Sequence, residues 1–320
     1  MSFAPRVVAL GGGHGLAATL TALRSVTREI TAVVTVADNG GSSGRLREEF
    51  PIMPPGDLRM ALAALCADDA WGRNWAEILQ YRFTSEGPLN GHALGNLLLA
   101  ALWDRDQDVV IGLDQVGALL KVVGRVLPMS AQPLDIEASF ENNGKIIEAI
   151  GQVAVATTPG RLQSLRIKPE NPSVRPEVLQ AIAEAQWITM GPGSWFSSVL
   201  PHLMVPVLRK AIIDSPAKKI LLLNLDSGSQ SGNIAKSAGE YAGYSPLEHC
   251  EILRTYAPDL HFDLVVADSH LSGRDELVEY LSQRGSGFYE ADLRNSQVKI
   301  HHDGEKLAST FAHIARELLV

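Results

Sequence analysis

"RVVALGGGHGLAATLTAL", residues 6–23, sets Gly11, Gly12, Gly13 and Gly15 between an apolar run and a segment with Leu16, Leu20 and Leu23 on one helical face. The run at 6–10 reads as a buried strand and the leucines as a helix. Glycine costs backbone entropy when it is ordered, so four of them in five positions need a reason. Close approach of a ligand to the main chain is that reason if the rest of the chain supplies more of the same site.

Outward from this unit the α/β rhythm continues. "ITAVVTVA" (30–37) is continuous in apolar and β-branched residues, as a parallel strand covered on both faces requires. Helical stretches follow at 56–66, 74–83, 93–103 and 111–124. The middle changes character. Residues 134–158 alternate polar and apolar around "NNG", a type I′ hairpin signal, and 161–170 adds a strand. The alternation of strand and helix then returns: strands at 187–191, 218–225, 262–268 and 287–293, helices at 176–186, 198–213, 245–257, 274–284 and 305–319. The fold class expected is α/β, a Rossmann-like, mostly parallel sheet with helices on both faces and an antiparallel excursion near 134–170. No repeat or linker divides the chain, so 1–320 is expected to be one domain.

The 320 residues are 46% hydrophobic and 20% charged, the profile of a soluble globular protein. A net charge of −8 argues against non-specific attraction to nucleic acid or an anionic membrane. The start "MSFAPR" is not a signal peptide, and "LLLAALW" (97–103) is far short of the about 20 residues that cross a bilayer. A cytoplasmic location with no membrane insertion is expected. Cys66 and Cys250 match no metal spacing and read as buried free thiols.

Polar, glycine-bearing loops recur where strands end or helices begin. After 11–15 come Asp38, Asn39, Gly40, Gly41, Ser42, Ser43 and Arg45 in "ADNGGSSGRLR". Then follow Asp57 and Arg59 in "PPGDLRMAL", His92 and Asn96 in "GHALGN", and Gly191, Pro192, Gly193 and Ser194 in "GPGSWFSS". A fifth loop opens at Asn224. Parallel strands deliver such loops to one edge of the sheet, where open α/β sheets bind ligands. A diphosphate wants many N–H donors and a helix N-terminus, and glycine and serine supply them without bulk. Asp38 ends the second strand, where a carboxylate accepts a ribose hydroxyl in nucleotide-binding sheets, and also suits an Asx turn. Arg45 and Arg59 have the fork geometry that grips phosphate, and equally suit ion pairs with Glu48 or Asp57. His14 falls in the first helical turn beside the expected phosphates. Trp195 suits stacking on a ring, and its neighbour Phe196 favours the core. The pair His301–His302 lacks partners at metal spacing. Position 16 is Leu16 rather than the third glycine of the dinucleotide fingerprint, so a nicotinamide dehydrogenase is disfavoured. There is no nucleophile elbow, Ser/His/Asp order or P-loop lysine, and Ser194 has no evident base.

"GGGHGL", "VTVADNGGSSGRLR", "PPGDLRMALAALC", "GHALGNLLLAALW", "GRVLPM", "GPGSWFSSVLPHLMVP" and "GYSPLEHCEIL" stand in this order from about residue 6 to 268. Together they resemble the YvcK family of bacterial gluconeogenesis factors, within the superfamily of the 2-phospho-L-lactate transferase CofD. The resemblance implies a nucleotide or nucleotide-sugar ligand such as UDP-N-acetylglucosamine, and a role in cell shape and envelope synthesis on gluconeogenic carbon. It implies no settled enzymatic activity. It carries over 11–15, 38–45, Asn96 and 191–194 as ligand contacts. The superfamily transferase moves a phospholactyl group from a nucleotide diphosphate with magnesium, and in that scheme Asp38 is the acid for metal or acceptor. Where the family has a "QPGET"-like stretch this chain reads a longer "DSGSQSGNIAKSAGEYAGYSP" at 226–246, so whatever 226–243 contacts departs from the pattern. The leading expectation is a ligand-binding regulator with no resident metal or cofactor. The alternative is a magnesium-dependent transferase. A homodimer is carried as an expectation for assembly.

Overall fold

The computed structural model describes residues 4–225, 244–296 and 302–318. Seven strands form one parallel sheet: β1 (Val7–Gly11), β2 (Ile30–Val34), β3 (Arg125–Pro128), β7 (Trp187–Met190), β8 (Lys218–Leu222), β9 (Leu264–Asp268) and β10 (Gly287–Ala291). Their spatial order is β10-β9-β8-β7-β1-β2-β3. Every residue of β1 and β9 is buried, which is why these strands read as unbroken apolar runs rather than alternating ones.

The order carries the functional geometry. The chain starts in the middle with β1, steps outward through β2 to β3, and then returns to lay β7 against the other side of β1. Successive strands to β10 continue away from it. The direction reverses between β1 and β7, and the crevice of an open α/β sheet lies at such a reversal, beyond the carboxyl ends of the strands.

Helices sort into two layers. Gly13–Leu23 packs against Pro55–Ala64 and Gly304–His313, and Leu94–Asp106 and Val109–Leu120 extend that layer. Pro176–Glu184, Leu200–Met204, Pro206–Asp214 and Pro246–Tyr256 make the other. One hydrophobic cluster runs through both, with Leu10, Leu20, Val33, Leu58, Trp187, Phe196 and Leu208 among its buried members. Burial of each such side chain contributes about 1.5–3 kcal/mol before the entropy of ordering is subtracted. Cys66 and Cys250 are buried, unpaired thiols, and burial pushes the Cys250 thiol up to about 12. No single helix among the described residues is long and apolar enough to cross a membrane.

The antiparallel excursion is a separate sheet of order β5-β4-β6, made by β4 (Asp135–Asn142), β5 (Lys145–Ile150) and β6 (Arg161–Lys168). Asn143 and Gly144 hold φ of 53° and 77°, so the "NNG" turn has the two left-handed positions that a type I′ hairpin needs. Expected alternation through 158 stops earlier: Gly151, at φ 89°, turns the chain into the short helix Gln152–Thr157. Two further elements, β3 and the helix Gly41–Glu49, were not anticipated from the sequence.

Candidate functional site

The loops after β1 and β7 meet at the reversal point. A Cβ on Gly15 would lie 2.2 Å from the Pro192 carbonyl oxygen and 3.0 Å from the Gly193 Cα. Only a glycine lets these two bends approach so closely. Gly12, extended at φ −165°, precedes the helix Gly13–Leu23 as its N-cap. A Cβ there would meet Thr35 Cγ2 at 2.3 Å, Asp57 Oδ2 at 2.6 Å and Ser198 Oγ at 3.3 Å. Main chain from β1 is therefore pressed against side chains from three other segments.

The Gly191–Pro192 peptide is cis, and the bend beyond it is pinned from β8's side. Asn224 accepts from the Gly193 N–H at 2.8 Å and donates its amide to the Gly193 carbonyl at 2.8 Å. Its carboxamide thus serves Gly193 as a neighbouring strand would. Ser194 caps the helical turn Trp195–Val199 by accepting from the Ser197 N–H at 3.1 Å, and its hydroxyl also contacts the Ser197 hydroxyl. Trp195 is core: buried, its ring lies flat against His249 with centroids 4.9 Å apart.

The second half of the rim comes from Asp38 onward. Asp38 accepts from the Gly40 N–H at 2.9 Å, and its own carbonyl accepts from Arg47 at 3.3 Å. Asn39 accepts from the Val153 N–H at 3.2 Å, which ties this loop to the small sheet. Gly40 and Gly41 open the helix Gly41–Glu49 without a side-chain cap. Ser43, in its first turn, accepts from the Gly56 N–H at 3.0 Å. A Cβ on Gly56 would sit 2.6 Å from Ser43 Oγ and 2.7 Å from Asp38 Oδ2, so the "PPGD" turn lies directly over both.

This packing sets Asp57 beside Asp38. Burial, and then the charge of Asp38, raise the Asp57 carboxyl to about 7, against a smaller opposing pull from the Gly13 N–H and Arg59. Asp57 Oδ2 is buried with no hydrogen-bond partner. Arg59 is buried too, and desolvation followed by the charge of Arg82 brings it down to about 10. Its Nε, like Oδ1 of Asn96, has no partner. Buried polar groups are nearly always satisfied, so these three atoms beneath the rim have hydrogen-bonding capacity to spare.

Ser42 shows a contact that linear order conceals. Its Oγ receives Asn96 Nδ2 at 3.0 Å and the Ala93 N–H at 3.4 Å, and lies 3.0 Å from His92 Nδ1. With two donors already pointing in, the Ser42 hydroxyl proton goes to His92 Nδ1, leaving the imidazole proton on Nε2. Burial first, then the charge of Arg45, lowers the His92 pKa, which favours the uncharged ring. Arg45 itself spends its guanidinium on the Pro88 and Asn90 carbonyls, at 3.1 and 2.9 Å, and so braces the loop leading to His92. His14 is exposed in the first turn of its helix.

The structure thus strings Asn224, Gly193, Pro192, Gly15, Gly12, Asp57, Asp38, Ser43, Ser42, His92 and Asn96 along one edge of the sheet. Thr35 and Ser198 belong with them and were not singled out from the sequence. The hydroxyl inside the apolar run "VVTVA" was the available signal, and Thr35 Oγ1 donates to the Ser197 carbonyl at 3.2 Å. Residues 226–243 and His301 lie outside the described residues. Farther along the edge, Asp268, His270 and Asp292 approach closely enough to share a cation. Asp268 already accepts from Arg294 Nε at 2.7 Å and from the Leu293 and His270 N–H groups, so its charge is spent.

Comparison with known proteins bears on the family and the fold. The family model for the 2-phospho-L-lactate transferase CofD matches residues 7–308. A Mycobacterium tuberculosis protein named "Putative gluconeogenesis factor" is 42% identical over 98% of this chain and 91% of its own. A Listeria monocytogenes protein named "Gluconeogenesis factor" is 34% identical over 95% and 94%. A crystal structure from Bacillus halodurans, described as a member of the upf0052 family, superposes with a TM-score of 0.82 at 30% identity, over 97% of this chain and 99% of that one.

Proposed function

The chain belongs to the YvcK family of gluconeogenesis factors within the CofD family, and we propose that its rim binds a nucleotide-sugar such as UDP-N-acetylglucosamine as a regulatory signal. The observation that carries this reading is the contact of the Gly11–Gly15 and Gly191–Ser194 loops at the reversal of the sheet. There the helices Gly13–Leu23 and Gly41–Glu49 both begin at glycines with no side-chain cap, the kind of donor set a diphosphate requires. The neutral His92 and the unpartnered Asn96 Oδ1 suit the uncharged hydroxyls and amides of a sugar better than further phosphate. Among the described residues, the Ser194 hydroxyl within the Gly191–Ser194 bend is engaged by Ser197, which favours ligand binding over nucleophilic turnover. In the cell, this reading places the protein in the cytoplasm, coupling nucleotide-sugar supply to envelope synthesis and cell shape during gluconeogenic growth. Isothermal calorimetry with UDP-N-acetylglucosamine tests it: saturable one-to-one binding is expected, and no heat at millimolar ligand overturns it.

One observation favours a second reading, a magnesium-dependent transferase acting on a nucleotide diphosphate donor. Asp57, with its unpartnered Oδ2, lies close enough to feel the charge of Asp38, and a divalent cation would offset both carboxylates. Magnesium held by Asp38 and Asp57 would neutralise charge on the diphosphate and its leaving group. Asp38 would then orient the acceptor side, and Arg59 would balance the charge beneath. Magnesium-dependent release of nucleoside monophosphate, lost in Asp38→Ala, is the expected result. Absence of release across donors and acceptors removes this reading and leaves the first intact.

A further inference from the structure

The small sheet ends in an open edge of unusual composition. Asn142 pairs with Lys145 across the two-residue turn, which makes that pair hydrogen-bonded and fixes the alternation beyond it. Phe140–Ile147 and Ala138–Ala149 then belong to the bonded class, and the Gly151 N–H to Ile136 carbonyl bond at 2.7 Å continues the series. By the same alternation Ile146, Glu148 and Ile150 turn their N–H and C=O groups away from β4. Because β5 is the end strand, no described strand meets them.

These three residues also share one face, with Ile146 59% and Ile150 70% exposed. Val153, 50% exposed, follows in the helix past the turn at Gly151. Beside them on β4 the same rows hold Glu141, Ser139 and Glu137. Glu137 is paired with Lys168, while Glu141 accepts from the Gly144 N–H at 2.6 Å. The edge therefore offers an open ladder and two isoleucines with a carboxylate, Glu148, between them.

Charge decides what this edge accepts. A second copy of β5 aligned to use all three open residues would set Glu148 directly opposite its own counterpart, an arrangement that destabilises paired strands. A segment carrying Lys or Arg between two apolar residues meets the same ladder with opposite charge. We propose that the β5 edge docks an extended segment of a partner protein in which a basic residue sits two positions from an apolar residue on either side. The segment pairs antiparallel through its main chain, its apolar residues cover Ile146 and Ile150, and its basic residue faces Glu148. The docking edge adjoins the candidate site, since Asn39 holds the Val153 N–H and a Cβ on Gly40 would touch Val153 at 3.0 Å.

The test uses the full chain without nucleotide, so its failure is separate from failure of the nucleotide-sugar reading. A fluorescent peptide with a Val-Thr-Lys-Thr-Val core is titrated and followed by anisotropy, beside the same peptide with Glu replacing Lys. The expected result is saturable binding of the lysine peptide, about five- to tenfold tighter than the glutamate one. Glu148→Lys should reverse that preference, and Ile150→Lys should weaken binding of the lysine peptide. Main-chain N-methylation of the peptide on its pairing edge should abolish binding. Circular dichroism of both variants, which are substituted at exposed positions, verifies that they fold. Equal affinity for the two peptides, no binding, or a preference unchanged in Glu148→Lys overturns the proposal. So does self-association of the wild type that Ile150→Lys abolishes, because that outcome assigns the edge to a second copy.

Discussion

Gly15 has no space for a side chain, because the obstacle is the Pro192 carbonyl of another loop rather than a movable side chain. Gly15→Ala must push apart the bends after β1 and β7. We expect a loss of about 1–3 kcal/mol in stability by chemical denaturation, the usual range for overpacking, together with weaker nucleotide-sugar binding. Asp57 gives a prediction with a definite sign. Its carboxyl moves from 3.8 to about 7 on folding, so between those values the folded protein holds a proton that the unfolded chain has released. Stability therefore falls as pH rises through that window. Asp57→Asn removes the effect, and should gain on the wild type by on the order of 2–4 kcal/mol between pH 4.5 and 8 in urea unfolding. Parallel pH profiles for the two proteins would contradict the assignment. The identities of these residues were legible in the sequence. The carboxylate pair and the Ser42–His92 contact were not, since 19 and 50 positions separate the partners and only the fold brings them together.

At the scale of elements, Asn224 converts the end of β8 into a clamp on the loop after β7. Asn224→Ala removes both of its hydrogen bonds to Gly193 and leaves that peptide group partly buried without partners. A cost of about 1–3 kcal/mol in thermal unfolding is expected, with nucleotide-sugar affinity reduced in calorimetry. Unchanged affinity would show that the loop holds its shape unaided. The same scale shows where reading by pattern succeeds. β1, β2, β7, β8 and β9 announce themselves because burial makes most of their positions apolar. β3 is four residues ending in Pro128, too short to establish a period, and it is a strand because β2's edge needs a partner. Gly41–Glu49 contains two glycines and two serines in nine residues and is helical against its own preference. Tertiary contacts hold it: Ser42 to His92 and Asn96, and Ser43 to Gly56. Gln152–Thr157 alternates like a strand, and only the left-handed Gly151 breaks the pattern.

At the scale of the molecule, the convergence of the loops follows from a rule about parallel sheets, and so could be read before any coordinates. The strand order could not, because sequence alternation does not reveal that β7 returns beside β1. That return joins two glycine-bearing loops some 180 residues apart into one rim, with the polar network of Asp38, Asp57, Arg59, Ser42, His92 and Asn96 beside it. Amide hydrogen exchange, followed by mass spectrometry with and without UDP-N-acetylglucosamine, tests this gathering most directly. Slowed exchange is predicted together at 11–15, 40–45 and 191–195. Binding that instead protects the opposite edge of the sheet, and leaves these three segments exchanging as before, would contradict the account.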